Sequence, residues 1–356
     1  MSGDNIRTDY LLSICDDTGL LQHAVHSVGD RHHGYCVDDN ARALLLACEL
    51  VSRGEAPLPP ALTGRFAAFV QHAWNPSNRR FRNFMGFDRR WREDMGSEDS
   101  HGRTLWALGA ASRTTAPGSL RPWARALFAQ AAPIVADFTS PRAWAFALLG
   151  LEGFLADEPA AGFAQSLRRD LVSRLTGLLG GCESPDWVWF EDGLAYDNAR
   201  LPQSLIVSGV AMGAPKVVVD GLRSLRWLTD VQTSPAGQFR PVGSDSFGDR
   251  RCPPRLFDQQ PLEALATISA CRAAWRADGG NSWRDHAQRA FAWFHGENDL
   301  AVTLVDAETG SCRDGLHPDR ANENRGAESV LSYLLGQVEM HGFAVSPALV
   351  LVAGHA

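Results

Sequence analysis

VDDNARALLLACELVSR, residues 37 to 53, joins two patterns in one stretch. Asp38, Asp39, Asn40 and Arg42 crowd its opening, and the remainder is rich in Ala and Leu on more than one helical face. Apolar residues on several faces of a helix mean burial on most sides. The stretch therefore reads as a buried helix introduced by more polar groups than a helix start requires.

The same opening recurs along the chain. SEDSHGR (97–103), TSPRAW (139–144), YDNARLP (196–202), FDQQPLEA (257–264) and NENRGAES (322–329) introduce Ala- and Leu-rich helical patterns at 101–112, 142–155, 201–213, 261–275 and 326–340. Taking Asp39, Asp99, Pro141, Asp197, Gln260 and Gly326 as markers, the openings recur every 42 to 66 residues, which is an internal repeat of a helical hairpin. Helices with clearer polar faces lie between them, at 60–74, 120–138, 164–179, 215–231 and 282–296.

Six buried helices alternating with outer ones, without a linker, predict one all-α domain over residues 1–356, an (α/α)6 toroid. In that architecture the inner helices point the same way and the loops before them meet over a central cavity. An open α-solenoid would have repeats of about 34 to 47 residues and no reason to place polar clusters at one end of alternate helices. Five outer helices are evident. The sixth is expected from SPALVLVAGHA (346–356) or from the LLSICDDTGLLQHAV region (11–25). The Arg-rich stretch at 75–96 is expected to be a loop or short β-hairpin at the cavity rim.

Bulk properties narrow the function classes. With 45% apolar and 21% charged residues, the 356-residue chain buries a large core. A net charge of -7 and a pI near 5.9 argue against a nucleic-acid scaffold. Seven scattered Cys without CxxC spacing fit a reducing compartment and no structural zinc. No apolar run approaches a membrane span, so a cytoplasmic protein without membrane partners is expected. HExxH, GxSxG and P-loop patterns are all missing, and neither metal nor cofactor is expected.

The clusters themselves have ordinary explanations. Asp, Asn and Ser cap helix N-termini, Pro141, Pro202 and Pro261 suit a first turn, and an acid three or four residues before Arg makes a helical ion pair. The excess argues for more. One cap needs one side chain, whereas WFEDGLAYDNAR offers Glu191, Asp192, Asp197 and Asn198 beside Trp189, Phe190 and Tyr196. Carboxylates and amides bind sugar hydroxyls, aromatic faces meet sugar C–H surfaces, and glycosidic cleavage uses a pair of carboxyls.

Asp39, Asp99 and Asp197 are the catalytic candidates, since each opens an inner helix. Asp38, Glu98, His101, Trp189, Asp192, Tyr196, Arg200, Gln260, Arg325 and Glu328 are the substrate-binding candidates. Asp39, Asp99, Tyr196, Asp197, Gln260, Arg325 and Glu328 are expected to face one cavity. Because a helix N-terminus stabilises an ionised carboxylate, the proton donor is expected off the helix axis, which keeps Glu98 and Asp192 in contention. The adjacent Asp38 and Asp39 also allow a magnesium site of the terpene-enzyme kind, which the aromatic and amide-rich neighbours disfavour.

GYCVDDNARALL (34–45), SEDSHGRTLWALG (97–109), WVWFEDGLAYDNARLPQSL (187–205), FDQQPLEA (257–264) and NENRGAESVLSYL (322–334) together resemble a family of bacterial six-hairpin proteins, found alone or joined to glycosyltransferase domains. The resemblance spans nearly the whole chain. It implies carbohydrate processing on an oligosaccharide, most simply glycoside hydrolysis. A phosphorylase, a sugar epimerase using His101, and a non-catalytic saccharide-binding module partnering a glycosyltransferase are the alternatives.

Overall fold

The computed structural model describes residues 6–115 and 119–343. In chain order the helices are α1 (Asp9–Ser13), α2 (Val37–Ser52), α3 (Pro60–Ala73), α4 (Glu98–Ser112), α5 (Leu120–Ala131), α6 (Pro141–Asp157), α7 (Gly162–Cys182), α8 (Arg200–Ala211), α9 (Pro215–Val231), α10 (Pro261–Asp278), α11 (Asn281–Phe294) and α12 (Ala327–His341). The six buried helices of the repeat are α2, α4, α6, α8, α10 and α12, and the five outer ones are α3, α5, α7, α9 and α11. Among the described residues no helix is long and apolar enough to cross a membrane.

The chain divides into two compact units, and the division passes through α7 and α12. The first comprises residues 1–171 with 306–313 and 323–334. Here α2 packs on α4 and α4 on α6, with α3 and α5 against α2 and α4. Glycines set the α4–α6 approach. A Cβ on Gly102 would sit 2.6 Å from Ala143 O, one on Gly150 would sit 2.5 Å from Leu105 O, and one on Gly109 would overlap the Gly150 carbonyl. Positions 102 to 109 thus run alongside 143 to 150 in the same direction, so the two inner helices are parallel and begin at the same end.

The region before α2 differs from expectation. Residues 11–25 supply no outer helix. They hold the end of α1, a turn in which Asp16 Oδ1 accepts from the N–H groups of Thr18 (2.8 Å) and Gly19 (3.2 Å), and strand β1 (Leu21–Val25). Strand β2 (Val28–Cys36) pairs antiparallel with β1 through a two-residue turn at His26 and Ser27, and then runs directly into α2. The other proposed source of a sixth outer helix, 346–356, lies outside the described residues.

The Arg-rich stretch does contain a small hairpin, β3 (Trp74–Asn75) with β4 (Arg80–Phe81), followed by β5 (Phe84–Met85), which pairs with β2. The outer helix expected at 120–138 ends as α-helix at Ala131 and continues as a 3-10 turn, Ala132–Asp137, where Pro133 cannot donate to the α-helical ladder.

The second unit comprises 172–305, 314–322 and 335–356. Hairpin α8–α9 is antiparallel, with the backbone of Val218 against Gly209 and that of Ile206 against Gly221. Helix α10 packs on α8 and on α11. It ends at Gly279, whose φ of 74° is the left-handed stop that glycine adopts without strain.

Candidate active site

In the first unit the opening residues of α2, α4 and α12 meet. Asp38 pairs with Arg42 Nη2 through Oδ2 at 3.2 Å and with Arg103 Nε through Oδ1. The latter two atoms are in close contact but not aligned as donor and acceptor, so the link is an ion pair rather than a directed hydrogen bond. Arg42 Nη2 also lies 2.7 Å from Glu328 Oε2. Both guanidiniums are buried, with side chains 4% exposed, while Glu328 keeps 41% of its side chain open.

Asn83, just before β5, closes the cluster from the other side. Its Oδ1 accepts from Asp38 N (3.2 Å) and Ser100 Oγ (2.9 Å), tying the first turns of α2 and α4 together.

Asp39 is the exception in this cluster. It is buried, and among the described residues its carboxyl accepts no hydrogen bond. Burial pushes it well above the usual carboxylate range, Arg42 and Arg103 oppose that, and Asp38 and Glu328 add to it. At Asp39 burial opposes the stabilisation that a helix N-terminus gives an ionised acid. A helix dipole contributes about 0.3–1 kcal/mol in most settings, whereas full burial shifts a carboxyl by up to about 3–5 pKa units.

Capping of their own helices does not explain these acids. The N-cap of α2 is Cys36 and that of α4 is Ser97, whose side chain accepts from Ser100 N. Glu98 instead reaches across to α6, its Oε2 accepting from Thr139 N and Ser140 N, both at 2.8 Å, and Asp99 Oδ1 accepts from Ser140 Oγ. Glu98 is thus committed to finishing the start of α6. Arg325 donates through Nη1 to Ser311 Oγ at 2.6 Å, and its carbonyl accepts from Tyr10 Oη at 2.9 Å.

His101 lies fully in the core. Its Nε2 contacts Ala131 O at 3.0 Å, Phe81 N donates to Nδ1 at 3.4 Å, and burial pushes the imidazole down to about 3. A neutral, enclosed ring bonded on both nitrogens holds α4 in place and has no free nitrogen to offer a sugar.

The second unit gathers another set. Asp197 and Arg200 form a pair at 3.1 Å, each side chain 1% exposed, and Arg200 Nη1 donates to Gln203 Oε1 at 2.8 Å. Glu263, in the first turn of α10, accepts from the backbone N–H of Asp197 and Asn198 and from Asn198 Nδ2. Burial, then the charge of Asp197, pushes Glu263 up to about 8.

Glu263 is not among the residues singled out from the sequence, although it stands in FDQQPLEA three residues after Gln260, where an acid reads as an N-terminal helix signal. Tyr196 is half-buried, as is Gln260, the N-cap residue of α10. Trp189 is closed off in the core, stacked 5.7 Å from Trp227, and Asp192 is an exposed partner of Arg251 at 3.0 Å.

A further pair is invisible in the sequence because its members lie far apart in the chain. His317 Nδ1 stands 2.8 Å from Asp258 Oδ1, off the axis of a linear hydrogen bond. The Gln259–Leu316 bridge beside it locks the two backbones, at 3.0 and 2.9 Å.

No family model and no curated protein sequence matches the chain. Solved structures do. The chain is similar to a D-mannose isomerase, with a TM-score of 0.71, 8% identity and 95% of each chain covered. It is similar to cellobiose 2-epimerase from Bacillus thermoamylovorans, with a TM-score of 0.69, 8% identity, and 93% of this chain and 95% of that one covered. An α-1,6-mannanase of Salegentibacter sp., an inactive variant with Ala at two adjacent aspartates and α-1,6-mannotetrose bound, gives a TM-score of 0.62 at 11% identity over 93% and 95%. The fold is thus the all-α (α/α)6 six-hairpin class, as the repeat predicts.

Proposed function

We propose that this chain is a carbohydrate-active enzyme that hydrolyses a glycosidic bond in an oligosaccharide, with Asp39 as the proton donor. The observation that carries the reading is the state of Asp39: buried, without a hydrogen bond among the described residues, and held well above the usual carboxylate range. Around it two guanidiniums, Arg42 and Arg103, balance two carboxylates, Asp38 and Glu328. Protonated Asp39 completes a neutral set. A carboxyl that holds its proton more tightly than a free acid does suits protonation of a departing glycosidic oxygen.

The second carboxyl that hydrolysis needs is Glu328. Asp38 is held by two guanidiniums, whereas Glu328 meets one and remains 41% open to solvent. In the step proposed, Asp39 gives its proton to the glycosidic oxygen as the C–O bond breaks, and Glu328 serves the incoming water or the anomeric carbon. The structural neighbours act on mannans, cellobiose and mannose, which supports a saccharide substrate. Incubation with manno-, gluco- and galacto-oligosaccharides, with and without phosphate, tests the reading. Product release that vanishes in Asp39→Asn supports it; product release unchanged in Asp39→Asn refutes the assignment. Binding without turnover would instead favour a saccharide-binding module serving a glycosyltransferase.

A second reading, epimerase or isomerase chemistry, is favoured by the His317–Asp258 pair rather than by His101. An imidazole whose Nδ1 faces a carboxylate leaves Nε2 for proton transfer. Deuterium uptake next to the anomeric carbon of a reducing sugar in D2O, lost in His317→Asn, would establish it.

A further inference from the structure

Glu263 touches no surface. Its residue is 1% exposed, so a substrate does not reach its carboxyl in this conformation. What it touches is the turn that leads into α8. Oε1 accepts from Asp197 N, and Oε2 from Asn198 N at 3.4 Å and Asn198 Nδ2 at 3.2 Å. The same Asn198 amide closes the turn on itself, with Oδ1 accepting from Ala195 N at 3.1 Å and Nδ2 donating to Ala195 O at 2.6 Å.

Asp197 needs such support. Its φ of 51° lies in the left-handed region, which a residue with a Cβ disfavours. Consecutive N–H groups facing one carboxyl make a small anion cradle, and here the anion is supplied by another helix of the same unit. Tyr196, half-buried, stands between the two anchored points, Ala195 and Asp197.

We infer that Glu263 is a positioning residue, whose carboxyl at the start of α10 fixes the 195–198 turn and thereby sets Tyr196 toward the saccharide. The turn rests on geometry alone; the role of Tyr196 toward sugar rests on the proposed carbohydrate chemistry. Asp197 is the charged group that acts on the carboxyl, and Arg200 on α8 is the ion-pair partner of Asp197. Burial and the charge of Asp197 push Glu263 up to about 8. The ionised form is the stronger acceptor for three N–H donors.

The test uses the full chain with Glu263→Ala and Glu263→Gln. In Glu263→Ala, amide hydrogen exchange at Asp197 and Asn198 is expected to quicken about tenfold or more, the scale of one lost hydrogen bond, with α8 and α10 still protected. With an oligosaccharide substrate, KM is expected to rise by a similar factor while kcat stays within about twofold, because binding and not chemistry is disturbed. Glu263→Gln keeps one acceptor oxygen and the volume, so it is expected to restore part of the protection. It is also expected to abolish the fall in KM expected of the wild type as pH rises through about 8, a readout that loss of packing alone would not move.

Wild-type exchange at 197 and 198 in Glu263→Ala, or a KM profile against pH that survives in Glu263→Gln, overturns the inference. If Glu263→Ala does not fold, Glu263→Gln carries the exchange test: quickening at Asn198, where its amide would face the Asn198 donors, is expected, and unchanged exchange there overturns the inference. Should no saccharide bind, the carbohydrate reading fails while the exchange result still decides on Glu263.

Discussion

Arg42 Nη2 lies 2.7 Å from Glu328 Oε2, a contact that joins the first buried helix of the sequence to the last. The same guanidinium holds Asp38, and its side chain is 4% exposed. Removing a buried ion's partner leaves the other charge uncompensated. Arg42→Met is therefore expected to destabilise by about 3–5 kcal/mol. Glu328→Gln removes a charge that solvent already screens, and is expected to change stability by no more than about 1 kcal/mol. Denaturant midpoints compare the two. Equal losses would mean that the cluster does not depend on Arg42 in this way.

Asp39→Asn should separate stability from activity. A carboxyl whose folded pKa is raised holds its proton after the unfolded chain has lost it. Its stabilising share is thus complete below the unfolded value of 3.8 and declines as pH rises toward the folded value. The amide removes that decline. Thermal unfolding at pH 7 is expected to show an unchanged or higher midpoint, while turnover falls by about 10²–10⁴, the usual contribution of a proton donor.

The acid limb of stability should respond to His101. Its imidazole is pushed down from 6.5 to about 3, so between those values the unfolded chain binds a proton that the folded chain refuses. Stability is therefore lost as pH falls through that window. His101→Gln can still accept from Phe81 N and donate to Ala131 O, and is expected to flatten the fall in melting temperature between pH 6 and 4. An unchanged slope would place the acid sensitivity elsewhere.

Two glycines should behave oppositely. Gly109→Ala drives a methyl group into the Gly150 carbonyl and is expected to destabilise by about 1–3 kcal/mol, as overpacking does. Gly177→Ala, on α7 with nothing within 4 Å of a new Cβ, is expected to stabilise by up to about 1 kcal/mol. Melting temperatures of the two variants decide the matter.

The helices were legible because their information is local. Apolar periodicity marks α2, α4, α6, α8, α10 and α12 to within a few residues, and Pro60, Pro141, Pro215 and Pro261 stand in first turns where a prediction would start them. The β1–β2 hairpin was missed because its turn, His26–Ser27, carries neither Asn nor Gly, although His26 adopts a φ of 54°. The site was legible as a set of clusters and not as roles. That the Asp39 carboxyl accepts no hydrogen bond among the described residues, while Asp38, one residue earlier, is held by Arg42 and Arg103, depends on Arg103, Asn83 and Glu328 arriving from elsewhere in the chain. The pairings of Glu263 and His317 were invisible for the same reason: their partners, Asp197 and Asp258, are distant in sequence.

The glycine seam between α4 and α6 has a mechanical meaning. Where most helix pairs are spaced by interlocking side chains that hop between rotamers, these two rest peptide against peptide at Gly102, Gly109 and Gly150. The spacer is then van der Waals contact between backbones, with no side-chain rotamer in between. Asp99 and Ser140, facing each other at the start of the two helices, thus stand at a separation set by backbone contact, and any side chain added to the seam would move the two apart.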